Sequence, residues 1–271
     1  MGDAKLASEV HKEILECHKI GKTNNTEIKE TLTSFPKGNY YNFNSLLGIK
    51  NNIQVQKKDF SIAYKQLIDT RDDEVIIGGI EAFMNGIDIL GNRKSDFLVD
   101  QTLLEGLALT VTSIQQLAVG DDAQAKNRLK KGIEKINWCC EVSEFSAIHA
   151  LAGTLNKMKR QPIFLAKSHF VPIIVEFNYS TSPKKYSEII TLLGEHSNNR
   201  ITENESEAGQ VIGEFLKNYG GFDGGALKNI IKDDIVALAH DCMLNNHRFL
   251  MNNVREISLP NIIYLYLKAL Q

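Results

Sequence analysis

Few residues in this chain have the types and spacing that chemistry requires. His240 and Asp241 are the most enzyme-like neighbours, because a neutral imidazole and a carboxylate can share a metal ion. A metallohydrolase built on such a pair also needs an earlier histidine, for which His169 and His196 are available, and a later aspartate. No aspartate follows Asp241, and Glu256 would have to stand in for it. His11 and His18 lie two helical turns apart, too far to chelate together without other ligands, and read as solvated. No two histidines are spaced i, i+4, and there is no HExxH, nucleophile elbow, Walker loop or dinucleotide fingerprint. No catalytic residue, metal ligand set or cofactor is therefore expected.

A second candidate is the turn Gly220, Gly221, Phe222, Asp223, Gly224, Gly225, which precedes a helical pattern whose first amides could hold an anion. Asp223 as N-cap would satisfy those same amides itself, so a connector is the simpler reading.

The stronger signal is basic. Between Asp121 and Phe170 cations outnumber anions, although the chain as a whole carries a formal charge of −2. At helical spacing Arg128, Lys131 and Lys135 fall within about 60° of one another, away from the Leu129, Ile133 and Ile136 face. Lys157, Lys159 and Arg160 close the following helical segment. If the two helices pack antiparallel, these six residues share a surface suited to phosphate, in RNA or phospholipid, or to an acidic protein patch. The plainer alternative is a solvated face with cations near a helix C-terminus.

The C-terminal segment leaves little polar surface: Ile262, Ile263, Leu265, Leu267 and Leu270 alternate with Tyr264 and Tyr266. Such a segment must be buried, in its own core or in another chain's. Ile263, Leu267 and Leu270 are the candidates for self-association, since terminal elements are readily exchanged between protomers. Docking on the chain's own helices is the preferred arrangement.

The elements that must position these residues are helical. Apolar residues recur at three and four along most of the chain. Leu6, Val10, Ile14 and Cys17 form one face, and a short second helix carries Ile28, Leu32 and Phe35 before Pro36. Residues 37–44, rich in Asn and Tyr, read as a loop. Asp72 or Asp73 starts a helix bearing Ile76, Ile80, Phe83, Met84, Ile87 and Leu90, within which Gly78 and Gly79 signal close helix packing. Ser95 caps the next, apolar on much of its circumference through Leu98, Leu103, Leu107, Val111, Ile114 and Leu117, and so central. Gly120 and Asp121 separate it from a helix carrying Leu129, Ile133, Ile136 and Cys140, and Ser143 opens another with Glu144 in its first turn. Residues 170–177, with Pro172 inside, fit either a buried helix or a strand. Pro183 starts a further helix, and a long one runs from Ala226 towards Asn245. No repeat of fixed period accompanies this pattern.

Composition sets the outer bounds. With 43% hydrophobic and 24% charged residues the chain is neither disordered nor fibrous, and 271 residues can bury a substantial core. Residues 1–20 lack a continuous apolar stretch, so no secretory signal is expected there, and the uncharged run 106–120 is too short to span a bilayer. Cys17, Cys139, Cys140 and Cys242 show no ligand spacing and are expected as reduced thiols, which points to the cytoplasm.

These observations predict an all-α protein, an irregular multi-helix bundle or stacked helix pairs with little or no strand. They divide the chain into an N-terminal helical region, 1–178, and a C-terminal one, 179–271, which can also form one continuous domain. The function expected is that of a non-enzymatic interaction protein that binds a protein partner or another copy of itself. The first alternative is a nucleoprotein-like RNA-binding protein that self-associates through its C-terminal helix. The second is a helical HD-type metallohydrolase using His240 and Asp241.

Overall fold

In the computed structural model, which describes residues 72–120, 122–194, 205–220, 227 and 230–270, the chain is helical and contains no strand among those residues. The elements are α1 (Asp72–Leu90), α2 (Phe97–Val119), α3 (Ala123–Val142), α4 (Ala147–Lys159), α5 (Ile163–Tyr179), α6 (Pro183–Gly194), α7 (Glu205–Gly220), α8 (Asp234–Asn245), α9 (His247–Asn252) and α10 (Leu259–Ala269). All belong to one compact unit, Gln66–Gln271. The expected helices around His11 and His18, the loop at 37–44 and the Gly220–Gly225 turn lie outside the described residues, Gly220 itself excepted.

The all-α expectation holds, and the differences from it lie at element ends. Asp96, not Ser95, caps α2 by accepting from the Val99 amide at 2.9 Å. Asp122 likewise caps α3 through the Gln124 amide at 2.8 Å. Ser143 closes α3 and does not open α4, which starts four residues later at Ala147. Residues 170–177 are helical: Pro172 sits inside α5, where it removes one intrahelical amide without ending the helix. The long helix expected from Ala226 begins only at Asp234.

The most apolar helix is central, as its pattern demanded. Leu103, Leu107, Val111 and Ile114 of α2 are fully buried, with α1 and α3 packed against them. By length and composition α2 is also apolar enough to cross a membrane; Leu103, Leu107, Val111, Ile114 and Leu117 are buried inside the bundle, while Phe97, Leu98 and Val119 at its ends are exposed. Its contact with α3 is close because both helices present glycine at the crossing. A Cβ on Gly132 would lie 2.5 Å from Thr110 Oγ1 and 2.9 Å from the Gly106 carbonyl oxygen. Helix α5 forms the second axis, packing on α1, α4, α7 and α10, and Gly209 of α7 approaches the Pro172 carbonyl as tightly.

The C-terminal segment docks on its own chain. Ile262, Leu265 and Tyr266 of α10 are buried, and the Tyr266 hydroxyl donates to the Leu151 carbonyl at 3.1 Å. Ile263 and Leu270 pack at the edge of this core, whereas Leu267 is exposed. A knot of amides holds the approach to α10. Asn178 and Asn253 exchange side-chain hydrogen bonds at 2.7 and 2.9 Å, and the Val254 amide donates to the Gly91 carbonyl. Asn178, part of a glycosylation sequon, is thereby fully buried.

The glycine crossing gives a direct test. Gly132→Ala places a methyl group against backbone atoms that cannot rotate away, so it should cost at least about 1–3 kcal/mol in urea denaturation. An unchanged midpoint would show that α2 and α3 do not cross at these glycines.

Candidate functional site

After its acidic first turn, helix α1 is apolar except at Glu81, Asn85 and Asp88, which recur at i, i+4 and i+7 and therefore share one face. All three are buried. A buried polar row needs partners, and α4 and α5 supply them.

Asp88 meets the start of α4. Its Oδ1 accepts from the Ser146 hydroxyl at 2.7 Å and the Ile148 amide at 3.1 Å, and its Oδ2 accepts from the His149 amide at 3.0 Å. Ser146 occupies the N-cap position of α4 but makes no cap hydrogen bond of its own. The cap is thus a carboxylate from another helix, placed where orphan amides and the helix dipole favour negative charge. Burial pushes the Asp88 carboxyl up from its ordinary range, opposed by the hydrogen bond from Ser146 and the charge of Lys167.

Lys167 of α5 completes the row. It is 4% exposed, and its Nζ donates to Asn85 Oδ1 at 2.5 Å. The same nitrogen lies 5.1 Å from the centre of the Phe145 ring, within range of a cation–π contact. Burial lowers the Lys167 pKa, while the charges of Asp88 and Glu81 hold it up. His149 borders the centre, its ring stacked on Phe145 and tilted against Phe249, both at 4.8 Å. Its Nδ1 is buried without a hydrogen-bond partner, and burial with the Lys167 charge keeps the imidazole neutral, well below its ordinary pKa. Two carboxyls, one amine and one uncharged imidazole are therefore gathered where α1, α4 and α5 meet.

The residues singled out from sequence lie elsewhere. His240 is exposed on α8, while Asp241 pairs with Lys157 at 2.9 Å and accepts from Asn245 at 2.7 Å. Among the described residues no group of three or more His, Cys, Asp or Glu side chains could hold a metal ion, and His196 lies outside the described residues. The basic residues are divided between α3, which packs mainly on α2 and α1, and α4, which packs mainly on α5, α8 and α9. Four of them face carboxylates: Arg128 with Asp122, Lys135 with Glu105, Lys157 with Asp241 and Lys159 with Asp234. Arg160 ends α4 with a φ of 53°, and Lys131 is exposed. Cys139, Cys140 and Cys242 are free thiols.

Glu81 gives the centre a measurable signature. Burial raises its pKa from 4.5 to about 7, against the opposing charge of Lys167. The folded protein then keeps a proton that the unfolded chain releases, so this contribution to stability is complete below pH 4.5 and is lost as pH rises towards 7. At about 1.4 kcal/mol per pH unit the loss is about 3 kcal/mol. Urea titrations across this range should show that decline in the wild type and a flatter profile in Glu81→Gln. Identical profiles would contradict the assignment.

No protein-family model matches the sequence, and no curated protein matches it significantly. Solved structures do match in fold. The alcohol dehydrogenase from Oenococcus oeni superposes with a TM-score of 0.64 at 15% identity, covering 74% of this chain and 52% of its own. The iron-containing alcohol dehydrogenase from Thermococcus thioreducens gives 0.60 at 20% identity, over 74% of this chain and 52% of its own. Maleylacetate reductase from Rhizobium sp. strain MTP-10005 gives 0.61 at 16% identity, over 74% and 53%. The chain spans about half the length of these enzymes. The match corrects the expectations of a non-enzymatic interaction protein and of an RNA-binding protein, because the helical framework is one that oxidoreductases use. At these identities the likeness establishes the fold, and the fold is that of the helical portion of this group of oxidoreductases.

Proposed function

We propose that this chain acts as an oxidoreductase that interconverts alcohols and carbonyl compounds, with the Glu81–Asn85–Asp88–Lys167 centre as its polar core. The observation that supports this reading most is the likeness of the helical unit, over three quarters of the chain, to alcohol dehydrogenases and a reductase. The chemistry of the centre is compatible with it. Oxidising an alcohol means removing a hydroxyl proton and moving a hydride to an acceptor. Glu81, titrating near neutrality, is the group able to exchange a proton, and a protonated Lys167 can stabilise negative charge developing on oxygen. A cytoplasmic setting accords with the free thiols.

The sequence carries no dinucleotide fingerprint, so the assay must leave the acceptor open. Purified protein is offered primary and secondary alcohols, aldehydes and maleylacetate with NAD(H), NADP(H) or a dye acceptor, with and without added ferrous iron. Turnover of at least one alcohol–carbonyl pair is expected, falling by about 10²–10⁴-fold in Glu81→Gln if the carboxyl carries the proton. Absence of turnover with every acceptor would overturn the proposal.

A further inference from the structure

Some of the enzymes that share this fold are iron-containing, so the buried centre invites comparison with a metal site. The donors it offers do not fit one. An iron(II) site of the oxygen and nitrogen kind needs imidazole and carboxylate ligands converging with free lone pairs. Both Asp88 oxygens are already engaged, by the Ser146 hydroxyl and by the Ile148 and His149 amides at the start of α4. Asn85 Oδ1 accepts from Lys167. Glu81 and the unpartnered His149 Nδ1 remain, one carboxylate and one imidazole nitrogen, and no group of three ligating side chains exists among the described residues.

Charge leads to the same conclusion. A row of buried carboxyls requires a compensating cation, because an unpaired charge in a low-dielectric interior is strongly disfavoured. Lys167 is that cation in position and burial: it is 4% exposed, bonded to the α1 face between Glu81 and Asp88, and set against the Phe145 ring. A divalent ion added there would lie beside a buried ammonium.

We infer that the ammonium group of Lys167 is the resident cation of this centre, and that the centre takes no divalent metal. The oxidoreductase reading enters only in choosing iron as the ion to test, and neither measurement below depends on turnover. The full-length protein is incubated anaerobically with ferrous iron, or separately with zinc, desalted, analysed for metal by mass spectrometry and melted with and without chelator. No stoichiometric metal and a chelator-independent Tm are expected, since an ion held by the folded state and not by the unfolded one would raise Tm. One ion per chain, removed by chelator with a fall in Tm, would overturn the inference.

The second arm tests the compensating role. Lys167→Met replaces the alkyl stem with an uncharged chain one atom shorter and removes the ammonium, so Tm should drop. Melted at about pH 9, above the Glu81 pKa, the double variant with Glu81→Gln lacks the carboxyl whose charge Lys167 no longer offsets and should recover most of the loss. If Lys167→Met does not fold, recovery of folded protein by the added Glu81→Gln is the same result. A double variant no more stable than the single one would show that Lys167 does not neutralise this row.

Discussion

A carboxylate buried in a helical bundle must be surrounded by donors, and Asp88 meets that constraint by acting as the cap of a helix other than its own. The first amides of α4 have no intrahelical acceptors, so the two deficits cancel where α1 ends and α4 begins. Much else follows from this pairing. It fixes the direction in which α4 leaves the α3–α4 connection and places His149 between Phe145 and Phe249. It also adds a second carboxyl to the side of α1 that already carries Glu81. Lys167 then becomes necessary, and α5 must pass close enough for its amine to reach Asn85.

The outer framework was legible in the sequence because it depends on local periodicity. The pattern from Leu98 to Leu117 marked α2 as central, and of the residues that define it Leu103, Leu107, Val111, Ile114 and Leu117 are buried, while Leu98 is exposed. Capping residues were read less well: Ser95 and Ser143 looked like helix starts, yet Asp96 and Asp88 cap the helices, the second from 58 residues before Ser146. Local reading cannot find a cap that comes from a different helix.

The candidate centre was missed for the same reason, though a signal was present. Glu81, Asn85 and Asp88 interrupt an apolar helix at i, i+4 and i+7, and Lys167 interrupts the apolar face of α5. Polar residues aligned on a face that must be buried imply a partner. The conspicuous cations lie along the middle of α3 and at the end of α4, where density of charge marks them and the fold occupies them largely in ion pairs with nearby carboxylates. Conspicuous surface charge and the buried charged row are different residues. The buried asparagine pair, Asn178 with Asn253, joins residues 75 positions apart and left no local trace at all.

The fold thus combines a helical framework like that of solved oxidoreductases with a buried row of carboxyls set beside Lys167. Its central claim is that a side chain of α1 supplies the missing partners of α4, and amide hydrogen exchange tests this most directly. Ile148 and His149 occupy the first turn of α4, where amides ordinarily exchange quickly for want of an intrahelical acceptor. The account predicts that both are protected like amides in the middle of α4. In Asp88→Ala they should exchange at least about tenfold faster, relative to amides of α2, as expected for a lost cap of about 1–2 kcal/mol. Fast exchange at both positions in the wild type, or protection unchanged in the variant, would contradict it.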